Sequence, residues 1–105
     1  MIYLTSSFSM QMIKRYPLSM EVNEIDKKTF IDGLRYGFYG AIGHEPTASM
    51  MTNDLGMLIA FNRVRVTVNP GDTLFIWQYA GGRLPEGATV LPDGAEIRYL
   101  RVEFF

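Results

Sequence analysis

The chain has one histidine, His44, inside the stretch Gly40-Ala41-Ile42-Gly43-His44-Glu45-Pro46-Thr47. The pattern that follows it reads as the start of a helix. A helix N-terminus offers unpaired N–H groups and about half a positive charge, which together attract phosphate. A histidine there can touch the bound anion. The helix end disfavours imidazolium while a neighbouring phosphate favours it. A general acid that hands its proton to a leaving oxygen gains from that balance. A surface or packing histidine with no chemical role fits the same position.

Other chemistry-bearing residues are scattered more widely. Arg83 and Glu86 stand three apart in the glycine-flanked run Gly81-Gly82-Arg83-Leu84-Pro85-Glu86-Gly87. Loops of this kind, fixed between strands, are where function tends to sit. An ordinary surface ion pair, worth at most ~1 kcal/mol, accounts for the two residues equally well. Arg63 and Arg65 alternate with valines, as on a solvent-facing strand. Ser6, Ser7 and Ser9 could donate hydrogen bonds to a ligand, though serines at a strand end are commonplace. Phe75, Trp77 and Tyr79 alternate and could stack on bases, but core packing is their more usual employment.

Composition narrows the classes. With 105 residues, 48% of them hydrophobic and 20% charged, the chain has the profile of one globular domain, residues 1–105. A domain this small buries roughly 60–68% of its unfolded surface, so pairing with a second copy would help it. There are no cysteines, which excludes disulfides, thiolate metal sites and cysteine nucleophiles. A single histidine speaks against multi-histidine metal sites, so no metal or other cofactor is expected. Ten basic and eleven acidic residues give a net charge of −1. Binders of long duplex DNA carry a basic excess, so no DNA partner is expected. A small anion held by a few placed groups remains possible. No apolar run approaches 18 residues and no signal-like segment is evident, so a cytoplasmic protein with no membrane partner is expected.

The elements that must hold these residues can be read from pattern. Met1 to Thr5 reads as a strand buried on both faces, ending in the hydroxyl-rich Ser6-Ser7-Phe8-Ser9. Phe8, Met10, Met12, Ile13 and Tyr16 suit a short helical turn before Pro17, and Leu18, Met20 and Val22 a brief edge strand. Asn23 reads as the cap of a first helix carrying Ile25, Phe30, Ile31 and Leu34 on one side, in which Gly33 costs about 1 kcal/mol relative to alanine. Pro46 suits the first turn of a second helix from Gly43 or His44. Ala48, Met51 and Leu55 share a face, and Gly56 supplies a left-handed stop. Val64, Val66 and Val68 predict a half-buried strand, and Asn69-Pro70-Gly71-Asp72 a turn. Thr73 to Ala80 predicts a strand near the sheet centre, and Glu96 to Phe104 a final one. The sum is an α+β fold: a mixed sheet of about five strands flanked by two main helices.

Taken together these residues resemble one family. Tyr3-Leu4, Phe8-Ser9, Ala41-Ile42-Gly43-His44, Asn62-Arg63-Val64 and Arg83-Leu84-Pro85-Glu86-Gly87 fall in the order seen in viral anti-CRISPR ring nucleases of type III CRISPR systems. This small family is spread over crenarchaeal viruses, bacteriophages and bacteria. The resemblance runs from Tyr3 into the last strand, and its specific parts are the Ile-Gly-His and Arg-Leu-x-Glu-Gly blocks.

The resemblance implies a C2 homodimer that binds cyclic tetra-adenylate and linearises it without metal, shutting off type III CRISPR signalling. If the gene is viral, the protein would work in the host cytoplasm. His44 would match the catalytic general acid and Glu86 an assisting acidic residue. Arg83 and Arg63 would hold phosphate or ribose, Ser9 would approach the reacting ribose, and Gln11, Gln78 and Thr47 would line the site. Ser6 stands where the family often has asparagine, and Gly81-Gly82 carries an extra glycine. RNA brings its own nucleophile, the 2′-hydroxyl, so in-line positioning and a proton for the leaving oxygen supply much of the rate. The alternative function is a sponge that binds the cyclic nucleotide without cutting it.

Overall fold

The computed structural model describes residues 1–81 and 87–105. In chain order these form β1 (Ile2–Thr5), a 3₁₀ turn (Met10–Met12), β2 (Met20–Ile25), α1 (Lys27–Leu34), β3 (Tyr39–Gly40), α2 (Glu45–Leu55), β4 (Thr73–Tyr79) and β5 (Ile97–Phe104). Among the described residues the strands make one five-stranded sheet in the order β2-β5-β4-β1-β3. β1 runs parallel to both β3 and β4, whereas β5 is antiparallel to β4 and β2. The fold is α+β with a mixed sheet and two helices, as its patterning predicts.

β4 takes the centre because it is apolar on both faces: Leu74, Phe75, Ile76 and Trp77 are all buried. Its alternation feeds two separate cores. Phe75 and Trp77 join Leu4 against Phe30 and Leu34 of α1 and Ala48, Met50, Met51 and Leu55 of α2. Leu74 and Ile76 join Val102 and Phe104 against Ile13, Val66 and Val68. Both helices therefore cover one face. The other face is covered by the irregular chain around the 3₁₀ turn and by residues 66–68.

The helix ends show how local chemistry sets the boundaries. α1 is capped by Asp26, whose carboxylate accepts the Thr29 N–H at 2.7 Å. Asn23, expected as the cap, instead pairs with Arg101 inside β2. Either side chain can cap, but the alternating contacts of β2 with β5 run on to Ile25 and postpone the helix. α2 starts at His44 with Pro46 in its first turn and ends at Gly56, whose φ of 68° is left-handed, as expected.

Two further expectations change. Among the described residues, 64–68 do not join a strand of the sheet, and the one pairing there is an isolated parallel bridge between Ile13 and Val68. Val66 and Val68 are buried while Val64 is exposed, so side-chain burial follows the valine pattern without a ladder. The fifth strand is the two-residue β3. Gly33 is a packing requirement, since a Cβ there would stand 2.4 Å from Phe75 Cζ. Among the described residues no helix is long and apolar enough to cross a membrane.

Candidate functional site

The chain leaves β1 and β3 on opposite sides of the sheet. After β1, Phe8 and Met12 turn into the core beneath the irregular segments. After β3, Ile42 and Ala48 turn into the core beneath the helices. Adjacent parallel strands whose exits diverge open a crevice at their carboxyl ends, a favoured ligand position in open sheets. A cavity of about 490 Å³ lies there, lined by Thr5, Ser6, Ser7, Ser9 and Gln11 from one side and Gly43 and His44 from another. Lys14, Arg65 and Thr67 complete its polar lining.

Hydrogen bonds fix the walls. Ala41 N–H donates to the Leu4 carbonyl at 2.9 Å, fastening the exit of β3 to β1. Asn62 holds the following segment from two sides. Its N–H donates to the Ile42 carbonyl at 2.9 Å and its Nδ2 to the Gly40 carbonyl at 2.8 Å. Six residues later, Val68 N–H donates to the Met12 carbonyl at 3.0 Å. Residues 62–68 are thus pinned at both ends across the cavity rim.

His44 is the N-cap residue of α2, yet its side chain makes no capping hydrogen bond. The imidazole is exposed and lines the cavity beside the unpaired N–H groups of the first helical turn. Ser9 Oγ accepts the Gln11 N–H at 3.2 Å, which orients the oxygen and leaves its hydrogen free to donate. Thr5 is 2% exposed, and its Oγ1 has no hydrogen-bond partner among the described residues. Buried polar atoms are rarely left unpaired, so the orphaned hydroxyl marks the cavity floor as unusual. Among the described residues the lining holds five hydroxyl side chains, two cations and a histidine but no carboxylate. In a chain of net charge −1, that is a local positive site suited to an anion rich in hydroxyls.

The residues expected at the site divide as follows. His44, Ser6, Ser9 and Gln11 are brought together around the cavity. Thr47 is half-buried in the first turn of α2 and Arg63 is exposed, and neither lines it. The Arg63 stem does run beside the backbone before His44, its Cγ 3.5 Å from where a Cβ on Gly43 would stand. Gln78 lines an adjoining groove with Ser6, Ser7, Phe8, Met20 and Val22. Arg83 and Glu86 lie outside the described residues. Lys14, Thr5 and Thr67 carry no sequence signal that separates them from ordinary surface or strand-end residues. Arg65 shares the alternation of Arg63, and only the course of residues 62–68 distinguishes them.

A mixed sheet with a polar crevice at the ends of its parallel strands defines the structural class. Within it, the chain belongs to the STIV B116-like family, whose model matches residues 2–104. Among solved structures it is similar to B116 of Sulfolobus turreted icosahedral virus. That likeness has a TM-score of 0.82 and 29% sequence identity and covers 97% of each chain. Comparison with curated proteins finds no match.

Proposed function

We propose that the chain is a metal-independent ring nuclease that binds cyclic tetra-adenylate and cuts it to linear di-adenylate. The observation that carries this reading is His44: an imidazole not engaged in capping, beside a helix N-terminus, in a cavity with hydroxyls and cations but no carboxylate among its described lining. Such a wall suits phosphates and riboses together. Membership of a family named after a viral protein is in keeping with an anti-CRISPR role, in which loss of the ring shuts off type III signalling.

In the reaction a ribose 2′-oxygen attacks the adjacent phosphorus, its proton leaving to water. The P–O5′ bond breaks and O5′ takes a proton from His44. The product carries a 2′,3′-cyclic phosphate and a free 5′-hydroxyl. Ser9, with its hydrogen free to donate, can hold the reacting ribose in line, where positioning does much of the work. The free N–H groups at the start of α2 stabilise charge on the phosphorane.

Cavity size favours a homodimer. Small-ligand sites span about 300–1,000 Å³, and 490 Å³ is at the small end for four linked nucleotides. Two cavities related by a C2 axis would share the ring, each histidine facing an opposite bond. The groove of about 320 Å³ beside the cavity, with Phe8, Met20, Val22 and Leu100 in its wall, offers an apolar surface for a second copy.

The test is incubation of the protein with radiolabelled cyclic tetra-adenylate in EDTA under single-turnover conditions. Conversion to di-adenylate is expected. Tight retention of the intact ring would make the protein a sponge, and absence of binding would end the reading.

A further inference from the structure

We propose that Lys14 and Arg65 form a station for a second phosphate of the ring, one that is held but not cut. The inference rests on the ring-nuclease reading and adds to it two residues that the family motifs do not include. Both side chains line the His44 cavity, yet they come from separate segments: Lys14 from just beyond the 3₁₀ turn, Arg65 from the strap of residues 62–68. The Ile13–Val68 bridge and the Val68-to-Met12 hydrogen bond hold those segments side by side. The backbone pairing thus brings the two segments that carry these cations to one cavity.

Charge supports the assignment. Eleven acidic residues are available in the chain, but none lines this cavity among the described residues. Neither Lys14 nor Arg65 takes part in a salt bridge among the described residues. Two like charges on one cavity repel unless an anion lies between them. Half of a four-membered ring brings two phosphates to each protomer. One phosphate belongs at His44 and the N-terminus of α2, where the bond breaks. The other needs its own counter-charge, and Lys14 and Arg65 are the remaining cations of the described lining. A guanidinium opposite an ammonium suits a phosphate that must be gripped without reacting.

The experiment compares wild type with the Lys14→Gln/Arg65→Gln double variant, measuring ring binding and ring cleavage separately. The probes are cyclic tetra-adenylate and adenylyl-adenosine, which has a single phosphate. The expected result is a rise of 10- to 100-fold in KM and Kd for the ring, with a far smaller change in kcat. The loss for the ring should exceed that for adenylyl-adenosine by at least tenfold. The dependence of log K on log salt should become shallower by about 0.7, the share of one phosphate contact. The charge-keeping Lys14→Arg/Arg65→Lys variant should restore most of the affinity. Equal affinity of the double variant and wild type for the ring would overturn the station and leave the nuclease reading intact. Ring binding that depends on both residues but is followed by no cleavage would support the station and overturn the nuclease. Failure of the wild type to bind the ring would remove both.

Discussion

Tyr99 donates its hydroxyl hydrogen to Asp54 Oδ2 at 2.6 Å, joining β5 to α2 across the helix-covered face of the sheet. The same oxygen accepts the Trp77 indole N–H at 2.9 Å, and Oδ1 accepts from Lys27 Nζ at 3.1 Å. One carboxylate thus fastens α2 to both strands beneath it and to α1. It sits ten residues beyond His44 on the same helix, so it fixes the helix whose other end forms the site.

Asp54→Ala should therefore destabilise the fold more than its small size suggests. Trp77 is 1% exposed, and its N–H would lose its partner in a dry environment. Leaving buried donors unpaired costs about 1–3 kcal/mol each, and two such donors converge here. The expected loss is roughly 2–4 kcal/mol, a fall in Tm of about 10–20 °C for a domain this size. Tyr99→Phe removes one bond and should lose about 1 kcal/mol. Thermal unfolding followed by far-ultraviolet circular dichroism measures both. A fall under ~3 °C in Asp54→Ala would show that the knot contributes little.

The same group sets an acid limit. Burial pushes the Asp54 carboxyl up, but hydrogen bonds from Tyr99, Trp77 and Lys27 outweigh it and hold the group below its ordinary 3.8. A folded-state value below the unfolded one means stability that is present above about pH 4 and is lost as pH falls through the depressed value. Wild type should lose stability on acidification below pH 4 more steeply than Asp54→Ala, as read from denaturant midpoints at a series of pH values. On the alkaline side, burial and the neighbouring carboxylate push the Tyr99 phenol far above its usual 10.0. Subtracting the ultraviolet titration of Tyr99→Phe from that of wild type should reveal no phenolate from this residue through pH 11.

Gly33→Ala is a second stability test with a counter-intuitive sign. Alanine is the better helix former by about 1 kcal/mol, so propensity alone predicts a gain. The added Cβ would stand 2.4 Å from Phe75 Cζ. That ring is buried and packs edge-on against Phe30, with the centroids 5.4 Å apart, so moving it disturbs the core. Overpacking of this kind costs about 1–3 kcal/mol, so a net loss is expected in chemical denaturation. A gain in midpoint would mean that the helix slides away from the sheet without penalty.

Much of this fold was legible where period and punctuation agree. Pro46 and Gly56 bracket α2, and the doubly apolar run from Thr73 marks the central strand. Val64, Val66 and Val68 misled because alternation reports which side chains face a core, not whether the backbone has ladder partners. β3 leaves no mark in the sequence, because two residues carry no period. At the candidate site, His44 and Ser9 stand in the motif blocks, whereas Ser6 and Gln11 are marked only by their closeness to Phe8-Ser9. Lys14 was invisible, since a lysine beside an apolar turn usually faces water. Arg65 could not be told from Arg63, because the strap that separates them is held by Asn62 and Val68 through tertiary hydrogen bonds.

His44→Ala bears most directly on mechanism. The side chain makes no capping hydrogen bond and is exposed, so its removal should leave the Tm within about 2 °C of wild type, as for other surface substitutions. If His44 protonates the leaving O5′, its loss should slow single-turnover cleavage of cyclic tetra-adenylate by about 10²–10⁴. Ring affinity should change by less than about fivefold, because the hydroxyls and the helix N-terminus proposed to hold the ring remain. His44→Gln, which can hydrogen-bond but cannot supply a proton at neutral pH, should be as slow as alanine. Cleavage by either variant at the wild-type rate would remove His44 from proton transfer and leave it a wall of the cavity.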